Sequence, residues 1–265
     1  MGHYIRCLEI KNELIKRGYN VILTIMSEEK LEKKSQMYII DLPYDMTQYI
    51  ENFSKAGAKV LTLEYFDTSA IPDLNISVLD FPAGMSSASN ISFGLNYIII
   101  RNQIRNLDNK NTNNNYGHIM LGGALTSELL NEIYLKIKNL NTPIKVIINE
   151  YQNIEKINNE NIEILVNPDE LPNLMNGCSW CVTNGGITML EMIYLDKNIF
   201  VYPQTQIEKR LAEIMLKNKL ILSIDPPFIN NSNFSLQPKL KKNVIFDGLG
   251  SKKIADKIDL LLDEL

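Results

Sequence analysis

Apolar residues recur along this chain in two rhythms, and the way the rhythms alternate sets the expected architecture. Ile5, Leu8, Leu14 and Ile15 fall at helical spacing and run to Arg17-Gly18, a helix stop. Residues 20–26, with Val21, Ile22, Leu23 and Ile25 apolar, then predict a buried strand. A short polar helix is expected over 28–34, a strand over 37–40, a helix over 46–55 and a strand over 59–64. Residues 72–90 are loop-rich, with a short strand near 76–79. Strand and helix therefore alternate, which is the pattern of a parallel α/β sheet covered by helices on both faces.

The pattern breaks once and then resumes. Residues 102–115 are rich in asparagine and have little to bury, so they read as a surface linker between two domains. Beyond it come a strand over 118–121 and a helix over 126–140 carrying Leu129, Leu130, Ile133, Leu135 and Ile137. Strands follow at 144–148 and 162–166, a helix at 169–175 and an apolar run at 179–182. A helix to about 196, a strand at 199–202, a helix at 207–218 and a short strand at 220–222 come next. Residues 226–238 are irregular, and a final amphipathic helix presents Ile254, Ile258, Leu261 and Leu262 on one side. The division expected is 1–105 for a first α/β domain, 116–245 for a second, and 246–265 for a closing helix.

Composition narrows the class. The chain has 265 residues, 45% hydrophobic and 22% charged, with a net charge of −4, which suits a globular protein with room for two cores. Its charges are scattered, so no basic stripe for nucleic acid is present. No apolar run is long enough to span a bilayer, and the opening residues lack signal-peptide character; a cytoplasmic monomer is expected. Three cysteines make no disulfide framework. Cys178-Ser179-Trp180-Cys181 has redox or metal-site spacing, but it lies in a strand-like run with no second cysteine pair, and buried core is the better reading. No metal site and no cofactor are expected, because there is no Asp-x-Asp and there are only two histidines, His3 and His118. His118 falls inside a strand and reads as a satisfied core or edge histidine.

The strongest chemical candidate is Thr183-Asn184-Gly185-Gly186-Ile187-Thr188-Met189-Leu190-Glu191, a strand end, a glycine turn and a helix start. Glycines allow a ligand close to the main chain, and the free N–H groups at a helix start favour an anion. Thr188 and Glu191 are three apart and share one side of the first turns, where a carboxylate suits the two hydroxyls of a ribose. Packing alone also explains glycine pairs in such turns, and the dinucleotide spacing G-x-G-x-x-G is missing. A second turn, Gly122-Gly123, follows the strand at 118–121.

Read together, N-G-G-I-T-M-L-E, the downstream Tyr202-Pro203-Gln204-Thr205-Gln206, the opening Gly2-His3-x-x-Arg6-Cys7 and the closing Asp247-Gly248-Leu249-Gly250 resemble a known family. It comprises the UDP-2,4-diacetamido-2,4,6-trideoxy-β-L-altropyranose hydrolases of the pseudaminic-acid pathway, with related spore-coat polysaccharide proteins. The resemblance implies a glycosyltransferase-B fold, two Rossmann-like domains facing a cleft. It implies that UDP contacts Gly122, Gly123, Gly185, Gly186, Ile187, Thr188, Glu191 and Gln206, with Gly2, Arg6, Asp41, Tyr44 and Thr205 on the sugar side. Three positions depart from the pattern: Thr205 replaces an asparagine, Leu125 replaces an aspartate, and Tyr44 follows Asp41 by three residues instead of two. In the family the Gly-His motif follows a strand and a glycine loop, so one strand and its loop are expected upstream of Met1.

The resemblance also implies a reaction. Cleaving a UDP-sugar expels a stable diphosphate, so the carboxylate pair of ordinary glycosidases is not required. One base that activates water suffices, and His3 is the candidate, with attack at the anomeric carbon and inversion. A glycosyltransferase using the same UDP site, or a non-catalytic nucleotide-sugar-binding module, are the alternatives.

Overall fold

Helices on both faces of short parallel strands are what the continuous apolar runs require, and the chain builds this arrangement twice. The computed structural model describes residues 2–25, 35–67, 69–80, 90–107, 114–140, 142–155, 159–227 and 245–263. They fall into two units, one of residues 1–101 with 245–265 and the other of residues 102–244.

In the first unit β1 (Met37–Ile40), β2 (Lys59–Leu63), β3 (Leu74–Ser77) and β4 (Ile91–Phe93) lie side by side in that order, all parallel. Strand alternation sorts their side chains. Leu61 and Leu63 of β2 join Ile10 and Leu14 of α1 (Gly2–Lys16) and Ile254 and Ile258 of α8 (Gly250–Asp263) in one core. Val60, on the opposite face of β2, packs with Met46 and with Ile50 of α2 (Thr47–Lys55). Each such fully buried aliphatic side chain contributes about 1.5–3 kcal/mol. The ends of α1 and α8 are also tied by Arg17, whose guanidinium donates to Asp259 at 2.6 Å and Asp256 at 2.7 Å.

Residues 20–26 break the expectation. Residues 21–25 form no strand, and Ile22 and Ile25 are 62% and 78% exposed. A strand is stable only with a ladder partner, and among the described residues none lies on the outer side of β1 for this segment to join. Met26 and the helix expected over 28–34 lie outside the described residues. Conversely, β4 has three residues, too few to carry a readable alternation, and it follows directly on the stretch expected to be loop-rich.

The second unit has six parallel strands in the order β10-β9-β8-β5-β6-β7. These are β5 (Gly117–Met120), β6 (Ile144–Ile148), β7 (Ile162–Val166), β8 (Trp180–Thr183), β9 (Asn198–Val201) and β10 (Ser223–Ile224). Connecting helices are α4 (Ser127–Ile137), α5 (Leu171–Gly177), α6 (Ile187–Tyr194) and α7 (Gln206–Lys217), with the short α3 (Asn102–Arg105) at the entry to the unit. Counted within the unit this is the order 3-2-1-4-5-6 of a doubly wound dinucleotide-binding sheet, which reverses direction between β5 and β8. Every residue of β8 is buried, and Trp180 donates its indole N–H to Thr142 Oγ1 at 2.9 Å. Cys178 and Cys181 are buried in this core and form no disulfide.

His118 of β5 is core, but it is not satisfied. It is fully buried, and neither ring nitrogen has a partner among the described residues. Burial, then the charges of Lys145 and Lys197, push its pKa down to about 3, so it stays neutral in the folded protein. The unfolded chain takes up this proton near pH 6.5, so stability falls as pH drops below that value and continues to fall until the folded form also titrates. The slope from this one group is about 1.4 kcal/mol per pH unit. Urea midpoints at pH 7 and pH 5 should separate by less in His118→Leu than in the wild type; equal separations would show that this histidine does not set the acid limit.

Candidate functional site

The reversal between β5 and β8 is where a doubly wound sheet opens a crevice at the carboxyl ends of its strands. Both glycine turns lie there. Register pairs Met120 with Thr183, so Gly122-Gly123 and Gly185-Gly186 leave the sheet from adjacent strand ends. Gly122 has φ +59°, a left-handed conformation, and both Gly122 and Gly123 face open space. Gln152, just past β6, pins this turn by donating to the carbonyls of Gly122 at 2.9 Å and Leu125 at 3.0 Å.

The two glycines of the second turn do different work. A methyl group at Gly185 would meet the Glu208 carbonyl oxygen at 2.4 Å, so this glycine lets the first turn of α7 approach and leaves no gap for a ligand. A methyl group at Gly186 would have its nearest neighbours at 3.6 Å, an ordinary contact distance, so packing does not require this glycine. Gly186 is also the N-cap of α6 and offers no side-chain cap, whereas α4 and α7 are capped by Thr126 and Thr205. The opening N–H groups of α6 are therefore left for an anion.

Other candidates sit less openly. Ile187 and Thr188 are half-buried in the first turn of α6. Glu191 is only 1% exposed, so the structure does not bring its carboxylate to the surface where a ribose contact was expected. Thr205 spends its hydroxyl as the cap of α7, accepting from the Glu208 N–H at 3.2 Å, and Gln206 is exposed beside it. Sequence reasoning missed Glu208. Its carboxylate accepts from Asn184 Nδ2 at 2.8 Å and from the Gln204 N–H at 2.6 Å, joining the loops after β8 and β9. The spacing Thr205-x-x-Glu208, a capping-box pattern, was the available signal.

In the first unit, His3, Arg6 and Asp41 are brought together from positions 35 to 38 residues apart. His3 and Arg6 lie one turn apart at the start of α1, and Asp41 directly follows β1. His3 Nδ1 is 2.6 Å from Asp41 Oδ1, while Arg6 donates to both carboxylate oxygens, Nε to Oδ2 at 2.9 Å and Nη2 to Oδ1 at 2.6 Å. Arg6 also lies 3.9 Å from Glu64, which accepts from Ser77 Oγ at 2.7 Å and from the Val78 N–H at 3.0 Å. The cluster thus ties α1 to the ends of three neighbouring strands.

Electrostatics fixes the charges here. The Asp41 side chain has no exposed surface, and that burial alone would raise its pKa; the His3 hydrogen bond and the Arg6 charge outweigh it and hold it below the ordinary value. Cys7 goes the other way: burial, with Asp41 nearby, pushes its thiol up to about 12, which removes it as a nucleophile. Gly2 is the first residue of α1, and Tyr44 is exposed three residues beyond Asp41. Among the described residues no group of three or more His, Cys, Asp or Glu side chains could hold a metal ion, and no helix is long and apolar enough to cross a membrane.

No protein-family model matches the sequence. No curated protein matches it either. Solved structures do. An S. aureus MnaA–UDP co-structure aligns with 98% of this chain and 80% of its own, at 12% identity and a TM-score of 0.57. The glycotransferase of kitacinnamycin aligns with 72% of this chain at 12% identity and a TM-score of 0.49, and the spinosyn forosaminyltransferase with 85% at 13% and 0.40. The chain spans 63% of the first of these two transferases and 54% of the second. The chain therefore has the glycosyltransferase-B architecture of two Rossmann-like α/β units, each built on a parallel sheet.

Proposed function

We propose that the protein hydrolyses a UDP-linked sugar, and that the second unit holds the UDP while the first supplies the base. The observation that carries this reading is the sheet reversal between β5 and β8, where two glycine turns and an uncapped helix start converge. Such a place binds a diphosphate through main-chain N–H groups without metal ligands. That the co-structure sharing this fold contains UDP supports the choice of nucleotide. The family resemblance carried by Gly2-His3-x-x-Arg6-Cys7 supports a diacetamido-trideoxy sugar as the group carried.

In the reaction, the oxygen of a water molecule forms a bond to the anomeric carbon from the face opposite the diphosphate. The carbon–oxygen bond to the phosphate breaks and UDP leaves with the electron pair. The water gives a proton to His3 Nε2, which later releases it to solvent. Main-chain N–H groups at the α6 start stabilise the charge that develops on the leaving group.

A UDP-release assay tests the assignment. With a UDP-diacetamido-trideoxy sugar in buffer alone, UDP and free sugar should appear in equal amounts. Release only after an alcohol acceptor is added would make the protein a transferase, and tight UDP binding with no release would make it a binding module. Glu191 is only 1% exposed, so Glu191→Ala should lower thermal stability and leave the UDP dissociation constant unchanged; a UDP affinity about tenfold weaker at unchanged stability would return Glu191 to the ribose site.

A further inference from the structure

We propose that Asp41 is a positioning residue that holds the imidazole of His3 in its Nδ1–H tautomer, so that Nε2 is left bare as the proton acceptor. This goes beyond the sugar-side contact expected for Asp41, and its catalytic consequence rests on the hydrolase reading above.

The Asp41 carboxylate sees no solvent. An ionised buried carboxylate must be matched by charge and hydrogen bonds, and Arg6 does both with a two-point fork to its oxygens. Held ionised, Asp41 can only accept. At 2.6 Å from Oδ1, His3 Nδ1 must therefore carry a hydrogen, because two lone pairs facing at that distance repel. Arg6 Nη2 also lies 3.1 Å from Nδ1, but its hydrogen has the closer acceptor in Oδ1, so the contact does not change the assignment.

A neutral imidazole carries one hydrogen, and with Nδ1 occupied, Nε2 has only its lone pair. The His3 side chain is 39% exposed, and among the described residues Nε2 has no hydrogen-bond partner. When Nε2 takes the proton from water, the imidazolium formed is stabilised through Nδ1–H by the Asp41 carboxylate. Arg6 and Glu64 extend the same network, so the orientation of His3 is anchored in the ends of β1 and β2. Asp41 has neither a free oxygen nor exposed surface to offer a sugar.

The tautomer can be read directly. The chain has only two histidines, so a long-range ¹H–¹⁵N correlation spectrum of uniformly labelled protein contains two ring systems, and His118→Leu assigns the other. In the wild type, at a pH where His3 is neutral, Nδ1 should show the shift of a protonated ring nitrogen and Nε2 that of a bare one. In Asp41→Asn the pattern should reverse, because the carboxamide can donate to Nδ1. For the UDP-sugar, kcat should then fall about 10- to 100-fold with KM and the UDP dissociation constant unchanged. A wild-type spectrum with the hydrogen on Nε2, or a tautomer that survives Asp41→Asn, overturns the proposal, and the first result needs no variant to fold. If the tautomers behave as stated but the wild type releases no UDP, the positioning role stands and the hydrolase reading falls.

Discussion

His3→Ala is expected to reduce UDP-sugar turnover by about 10²- to 10⁴-fold, the range over which a positioned general base contributes, and to leave the UDP dissociation constant unchanged. The two halves of this result have separate causes. Turnover needs an acceptor for the proton of the attacking water, and in the first unit His3 is the group whose partner-free ring nitrogen can serve. In the proposed site UDP is held by the β5–β8 end of the second unit, and His3 belongs to the first. The variant leaves Asp41 paired with Arg6 through two hydrogen bonds, so the fold should survive. Steady-state UDP release and calorimetric UDP binding measure the two halves. Turnover retained within a factor of a few would take His3 out of the mechanism.

The second large effect concerns two adjacent glycines. Gly185→Ala should cost about 1–3 kcal/mol of stability, the usual range for forcing a methyl group into a packed site. The added carbon lies 2.4 Å from the Glu208 carbonyl oxygen and 2.8 Å from its carbonyl carbon, and backbone cannot rotate aside as a side chain does. Relief requires the start of α7 to move, which would also strain the Glu208 carboxylate that joins Asn184 to Gln204. Gly186→Ala has room for its methyl and should unfold near the wild-type temperature, but at the N-cap of α6 that methyl lies beside the proposed diphosphate position and should weaken UDP binding. Thermal unfolding and UDP titration of the two variants therefore give opposite profiles. Equal loss of stability in both would show that packing alone explains the glycine pair.

Local features were the legible part of the fold. Met37–Ile40, Ile144–Ile148 and Ile162–Val166 are short apolar runs bounded by polar or turn residues, and each forms a strand with the limits its pattern predicts. The apolar run at 21–25 has the same composition yet forms none, because a strand also needs a neighbour and pairing is not encoded in the run itself. In the candidate site the glycine turns could be read from residue type, since they end strands and start helices. What each glycine does could not, because the neighbour that excludes a side chain at Gly185 is 23 residues away at Glu208. The burial of Asp41 beneath His3 and Arg6 was invisible for the same reason: it arises from where β1 ends relative to the first turn of α1.

The proposed nucleotide site lies at the sheet reversal of the second unit. Titrating UDP into ¹⁵N-labelled protein and following the backbone amides tests it without any sugar. The largest shifts should fall on Gly122, Gly123, Gly186, Ile187 and Thr188, and amides at the opposite ends of β5 and β8 should stay in place. Saturable binding that moves other amides and leaves these five unchanged, or no binding at millimolar UDP, would contradict it.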